Sequence, residues 1–253
     1  MTTGIVSHAR KFKGILVFGD IHGDHNSFTK AYNFASTNDL FFMSLGDLVD
    51  RDRHPYEVVE FMHRIMIDGY AGFTIGNHDD KFRRYAEGTK VQFSRDSKQT
   101  LEDVGVEREA EFLRMYVEII QHPFSGLFHK FDDIILVHAG SHPAMWESTP
   151  VICKAARSRC LIGESNGERR LDGYPVRLYN WIENVPMGKT VIVGHDRSPI
   201  HSVDITEPMI VSNKNGGKVI FMDTGCGKGG FLSGVVILHG THGFTVDRFV
   251  DFK

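Results

Sequence analysis

Short apolar runs alternate with longer stretches whose apolar positions recur every three or four residues. Residues 14–19 (GILVFG) are a continuous apolar run of strand length, and 40–45 (LFFMSL) and 70–75 (YAGFTI) repeat it. Between the first two, Asp24 can cap a helix running to about residue 36, with Phe28, Tyr32 and Ala35 on one face. Between the next two, Pro55 suits a helix's first turn, Val58, Met62, Ile65 and Met66 make an apolar face, and Gly69 ends it. Strand, helix, strand, helix, strand predicts an α/β sheet. Residues 81–123 are mostly polar with helical stretches, notably 107–120, and read as a helical cap or insertion within a single domain spanning 1–253. Strand-like runs return as IILVH, TVIVGH, KVIFMD, LSGVVIL and FTVDRFV, while 153–188 reads as irregular.

Composition changes this picture little. Hydrophobic residues make up 41% and charged residues 24% of the 253, and the net charge is −3, so no global basic field draws nucleic acid. The three cysteines lack C-x-x-C spacing, which argues against a disulfide framework or zinc knot and for a reducing compartment. No secretory leader and no apolar run of about 18 residues is visible. The expectation is a cytoplasmic protein with no membrane partner.

The chemistry gathers at strand ends. FGDIHGD offers Asp20 and His22; LGDLVDRDR offers Asp47, Asp50 and Arg51; IGNHDD offers Asn77 and His78; LVHAG offers His138; IVGHDRS offers His195. Each group follows an apolar run and lies beside a glycine, which lets the chain turn there. Open α/β sheets place function at the carboxyl ends of their strands. Carboxylate, imidazole and amide oxygen together suit Mn, Fe, Zn or Ni better than Ca or Mg. One cation cannot easily take so many donors, whereas two sharing a carboxylate can. Such a pair clamps both oxygens of an in-line displacement at phosphorus, so the expected substrate is a phosphoester.

Taken in order, GDIHG, GDLVDR, GNHDD, VHAG and GH resemble the motif series of the calcineurin-like metallophosphoesterases, in the phosphoprotein-phosphatase-like branch. The resemblance implies an α/β sandwich of two mixed β-sheets flanked by helices. It implies that Asp20 and His22 hold one metal, that Asp47 bridges, and that Asn77, His138 and His195 complete the second site. The favoured cation is Mn²⁺, with Fe, Zn or Ni possible. His78 would be the general acid, Asp50 would orient it and Arg51 would grip phosphate, while a metal-bridging hydroxide attacks. Asp79 and Asp80 fall outside the implied ligand set and read as bystanders that cap the next helix.

Later segments, GESNGERRLDGYPVRLYNW and FMDTGCGKGGFLSGVVIL, are similar to PrpE-type diadenosine tetraphosphatases and to the phosphatase module of bacterial polynucleotide kinase-phosphatases. Phage lambda protein phosphatase shares the early motifs and a DTG strand end. By that likeness Asp223 backs a metal-bound His. Departures are Asp52 where the family has Gly after the Arg, GHDRS in place of GHTP, and no Arg at the usual second phosphate position. Arg157, Arg159 and Arg177 are nearby replacements, Arg177 foremost. GKGG lacks the spacing of a phosphate-binding P-loop. The leading expectation is a phosphomonoesterase of serine/threonine-protein-phosphatase type, acting on a phosphorylated protein or small phosphoester. A bis(5'-nucleosyl)-tetraphosphatase is the first alternative and a nucleic-acid end phosphatase the second. No aromatic row is spaced to stack bases, which disfavours the last. A metal-free scaffold would be expected to lose ligands, and this chain keeps them.

Overall fold

The computed structural model describes residues 3–253 apart from Asp172, Tyr174, Ser202 and His242. In chain order the first half runs α1 (Thr3–Ala9), β1 (Gly14–Phe18), α2 (His25–Thr37), β2 (Leu40–Ser44), α3 (Pro55–Ile67), β3 (Ala71–Thr74), α4 (Asn77–Ala86), α5 (Arg95–Val104) and α6 (Val106–Gln121). It continues β4 (Ser125–Gly126), β5 (Phe128–Phe131), β6 (Ile134–Val137), α7 (Lys154–Ile162), β7 (Glu164–Arg169), β8 (Pro175–Leu178), β9 (Thr190–Val193), β10 (Met209–Ser212), β11 (Lys218–Phe221), β12 (Leu232–Gly240) and β13 (Gly243–Phe252).

These strands build a six-stranded sheet, β13-β12-β1-β2-β3-β4, and a five-stranded sheet, β10-β11-β9-β6-β5. Both are mixed. In the first, β1 to β4 run parallel and β12 pairs antiparallel with both β1 and β13; in the second, β6, β9 and β11 run parallel. The two-residue period of a strand explains how one short run feeds two cores. Leu16, Phe18, Leu40 and Phe42 face helices α2, α3 and α6, whereas Ile15, Val17, Phe41 and Met43 face the second sheet and meet Ile134, Leu136, Ile192 and Ile220. Ile135, Val137, Val191 and Val193 point away from the sandwich and are covered by Trp181 and Cys160. Parallel strands buried on both sides must be apolar throughout.

Asp24 caps α2 by accepting from Ser27 N at 2.9 Å, and Pro55 opens α3, both as expected. Residues 81–123 contain the rest of α4 together with α5 and α6, with Phe82, Phe112 and Tyr116 buried against one another and against the helix face of the first sheet. The stretch 153–188, read as irregular, contains α7 and the hairpin β7–β8. Strand β7 (ESNGER) lies exposed along most of its length, so no apolar alternation marks it.

Candidate metal centre

Six parallel strands end on one rim, and each is followed by a polar group: Asp20 and His22 after β1, Asp47 after β2, Asn77 after β3, His138 after β6, His195 after β9 and Asp223 after β11. The loops between are tied together by backbone. Ile21 and His22 N–H donate to Asp47 O at 3.2 and 3.0 Å, and Gly23 N donates to Leu48 O at 2.8 Å. These turns are strained. His22, Asp47, Asp50, Arg51 and His195 all sit in the left-handed region, with φ of 51°, 52°, 72°, 90° and 67°. Non-glycine residues adopt such angles at a cost of about 1–3 kcal/mol each, which tends to persist only where a side chain must be aimed.

Two glycines are needed for a different reason than turning. Gly76 has an ordinary extended backbone, φ −88°, but a Cβ there would fall 2.2 Å from Asp47 Oδ1. A Cβ on Gly194 would fall 2.3 Å from Asp20 Oδ1. Their role is to let a carboxylate approach the backbone, not to reverse the chain. His195 N donates to Asp20 Oδ1 at 2.8 Å and His78 N to Asp47 Oδ1 at 3.0 Å, which leaves the second oxygen of each carboxylate facing the rim.

The imidazoles are oriented from behind. His22 Nδ1 lies 3.0 Å from Val49 O and His138 Nδ1 lies 2.8 Å from Leu45 O, which places the N–H on each Nδ1 and the lone pair on Nε2. His138 Nε2 then lies 3.1 Å from Asn77 Oδ1, 3.4 Å from Asp47 Oδ2 and 3.0 Å from His195 Nδ1. His22 Nε2 lies 3.5 Å from Asp20 Oδ2, and both atoms are buried without a hydrogen-bond partner. Buried polar atoms are rarely left so, and orphaned donors aimed at a common point fit a cation. Two groups meet that geometry, Asp20–His22–Asp47 and Asp47–His138–His195, with Asp47 in both.

The charges are mutually dependent. Burial opposes ionisation of Asp47, yet the imidazoles of His138 and His78 hold its carboxyl well below the usual carboxylate range. Burial likewise opposes a charged His138, but Asp47 and Asp20 carry it up to about 9. Burial, Arg177 and His138 hold His195 well below the ordinary histidine value, in the neutral form that a cation takes as ligand. With Asp47 ionised and His195 neutral, the pocket attracts a divalent cation, which would displace the proton that His138 otherwise carries.

His78 stands beside this cluster, its Nδ1 on Asp50 Oδ2 and its Nε2 3.8 Å from Asp47 Oδ2. Burial opposes its charging, but Asp47 and Asp50 together raise its pKa above the ordinary histidine value. Arg51 pairs with Asp96 at the rim. Arg177 pairs with Asp196 at 2.7 Å, donates to His195 O at 3.4 Å and lines a small hollow with His195, Tyr179 and Trp181. Arg157 and Arg159 turn elsewhere, to Asp80 and Glu164.

The reading of Asp79 as a bystander needs correction. Asp79 is no bystander: fully buried, it accepts from Asp47 N (2.7 Å), Leu48 N (3.1 Å), Gly76 N (2.8 Å) and the Tyr116 hydroxyl (2.9 Å), so it splices the Asp47 loop to the Asn77 loop. Burial and the nearby Asp47 push its pKa up to about 6. Asp223 is buried at the same rim, within electrostatic reach of Asp20 and His22. Its oxygens take Gly225 N at 3.0 Å and Lys228 Nζ at 3.1 Å, and Lys228, from GKGG, is thereby drawn in beside Asp20. Lys228, Tyr116, Ser97 and Thr100 escaped the sequence reading, because each lies in a loop or helix whose partner is fixed only by tertiary packing.

The fold and the paired Asp–His groups are those of a metal-dependent phosphoester hydrolase. The family model for calcineurin-like phosphoesterases matches residues 14–222, and the chain belongs to that family. Among curated proteins it is 25% identical, over 86% of its length and 87% of the relative's, to the asymmetrical bis(5'-nucleosyl)-tetraphosphatase PrpE of Halalkalibacterium halodurans. Among solved structures it superposes on a candidate diadenosine tetraphosphatase with TM-score 0.56 and 20% identity, covering 95% of both chains. It also superposes on a Saccharomyces cerevisiae protein serine/threonine phosphatase similar to human PP5, with TM-score 0.57 and 14% identity, covering 99% of this chain and 88% of that one. These likenesses support the two-sheet fold.

No helix among the described residues is long and apolar enough to cross a membrane.

Proposed function

We propose that the chain hydrolyses dinucleoside tetraphosphates asymmetrically, releasing a nucleoside triphosphate and a nucleoside monophosphate, at a centre for two divalent cations. The observation that carries the reading is the pair of donor groups sharing Asp47. Asp20, His22 and Asp47 would hold one cation; Asp47, Asn77, His138 and His195 would hold the other. The mixed oxygen and nitrogen donors are compatible with manganese, the cation we propose. When bound, the pair would supply Lewis acidity toward a phosphoryl oxygen and lower the pKa of an attacking water.

The chain's own residues do the rest. Asp50 fixes the His78 Nδ1 proton, so that Nε2 faces the centre and can give its proton to the departing phosphate oxygen. Arg51 and Arg177, presented at the rim by Asp96 and Asp196, would take phosphoryl oxygens in place of those carboxylates. Lys228 adds positive charge where a polyphosphate would extend past Asp20.

The substrate assignment rests on the PrpE relatives, which match along most of this chain. The serine/threonine-protein-phosphatase reading, to which the motif order gave first place, has only a fold likeness at 14% identity behind it. The test is kcat/KM of the manganese-loaded protein on diadenosine tetraphosphate, a phosphoserine peptide and 3'-phosphorylated DNA. The tetraphosphate should lead by at least about tenfold, the low end of discrimination by differential transition-state binding. A peptide or DNA substrate ahead of it would overturn the assignment.

A further inference from the structure

Helix α5 lies outside every motif, yet it reaches the site at consecutive turns. Asp50 is fully buried, and its carboxylate is enclosed by three side chains. Oδ1 accepts from Thr100 Oγ1 at 2.7 Å; Oδ2 accepts from Ser97 Oγ at 2.7 Å and pairs with His78 Nδ1. Ser97 and Thr100 are three residues apart, so a single helix face presents both hydroxyls. The Ser97 hydroxyl has one proton, which it gives to Asp50, and its oxygen can accept from Lys81 Nζ at 3.4 Å or from Ser94 Oγ at 2.9 Å. Ser94 caps the same helix by accepting from Ser97 N at 3.2 Å, which fixes where the face points. The residue before Ser97, Asp96, pairs with Arg51. One helix therefore holds both side chains that GDLVDR contributes beyond its metal ligand.

We infer that Ser97 and Thr100 are positioning residues for proton donation, holding the Asp50 carboxylate in the orientation that aims His78 at the leaving group. The inference rests on the general-acid role proposed for His78. A carboxylate with both hydroxyl donors in place has one free direction left, toward His78 Nδ1. Without them it can rotate about its terminal bond, and a buried acceptor loses its partners. The imidazole would then lose both its fixed tautomer and its aim. A purely structural tether would weaken the fold or the metal site instead, affecting all substrates alike.

Leaving groups separate the two cases. A good leaving group departs without protonation, whereas a poor one needs the acid. The manganese-loaded wild type, Ser97→Ala, Thr100→Val and the double variant Ser97→Ala/Thr100→Val would be compared on p-nitrophenyl phosphate and on phenyl phosphate, with His78→Asn alongside. Thr100→Val keeps the side-chain volume, so it remains informative if the double variant folds poorly. Thr100→Ser, which keeps the hydroxyl, should restore the wild-type ratio. Thr100→Val is expected to lose about tenfold in kcat on phenyl phosphate and less than about threefold on p-nitrophenyl phosphate, a smaller copy of the His78→Asn pattern. Equal losses on both substrates in Thr100→Val and the double variant, with unequal losses in His78→Asn, would overturn the positioning role alone. Equal losses in His78→Asn as well would overturn the general-acid reading beneath it. A second readout needs no turnover. In the metal-free protein the His78 Nδ1 proton should give a downfield NMR resonance that moves in Thr100→Val; an unmoved resonance would contradict the inference.

Discussion

At the scale of single residues, the site is held by side chains that lie behind the donor groups. Asp79 is the clearest. Three backbone N–H groups and a tyrosine hydroxyl converge on it inside the protein, so Asp79→Ala would strand several buried donors. A loss of at least about 3 kcal/mol in denaturant-determined stability is expected, and a loss below about 1 kcal/mol would show that the splice is dispensable. The histidines divide by environment. His129, in β5, is buried, with Nε2 2.9 Å from Phe73 O, and burial lowers its pKa to about 4 from 6.5. Because the folded value is depressed, the neutral ring's contribution is complete above the unfolded value. It is lost as pH falls from about 6.5 toward about 4, by roughly 3 kcal/mol. His129→Gln, which keeps a donor for Phe73 O, should flatten the dependence of Tm on pH across that window. An unchanged slope would assign acid sensitivity to other groups.

At the scale of elements, legibility followed periodicity. The runs GILVF and LFFMS announced buried strands because both their faces are covered, and Asp24 and Pro55 marked helix starts because capping is local. Strands β7 and β8 were illegible because an exposed hairpin needs no apolar alternation. The helices α4 to α6 were legible as helices but not in their consequence. Phe82 stacks on Tyr116 at 5.6 Å between ring centres, and Tyr116 in turn holds Asp79, so packing of this block bears on the Asp47 loop. Phe82→Ala should therefore cost about 3–5 kcal/mol by cavity formation. It should also weaken manganese binding, measured by titration calorimetry. Full affinity in a folded variant would mean that the helices and the strand ends are energetically independent.

At the scale of the whole molecule, two mixed sheets bring the carboxyl ends of six parallel strands to one rim, so donor groups scattered from Asp20 to His195 become neighbours. The five motifs could be read as one constellation because each ends an apolar run and carries donors of one chemical kind. The sequence could not reveal left-handed backbone at His22, Asp47 and His195, nor the contact that makes Gly76 obligatory, since both depend on loops from distant strands meeting. Chelation followed by desalting should abolish hydrolysis, and manganese should restore it; unchanged rates would remove the metal from the account. The most direct test is an anomalous-scattering map from crystals of the manganese-loaded protein. Two strong peaks about 3.5–4 Å apart are expected, one on either side of Asp47. A single peak, or peaks not bridged by Asp47, would contradict a two-cation centre shared through Asp47.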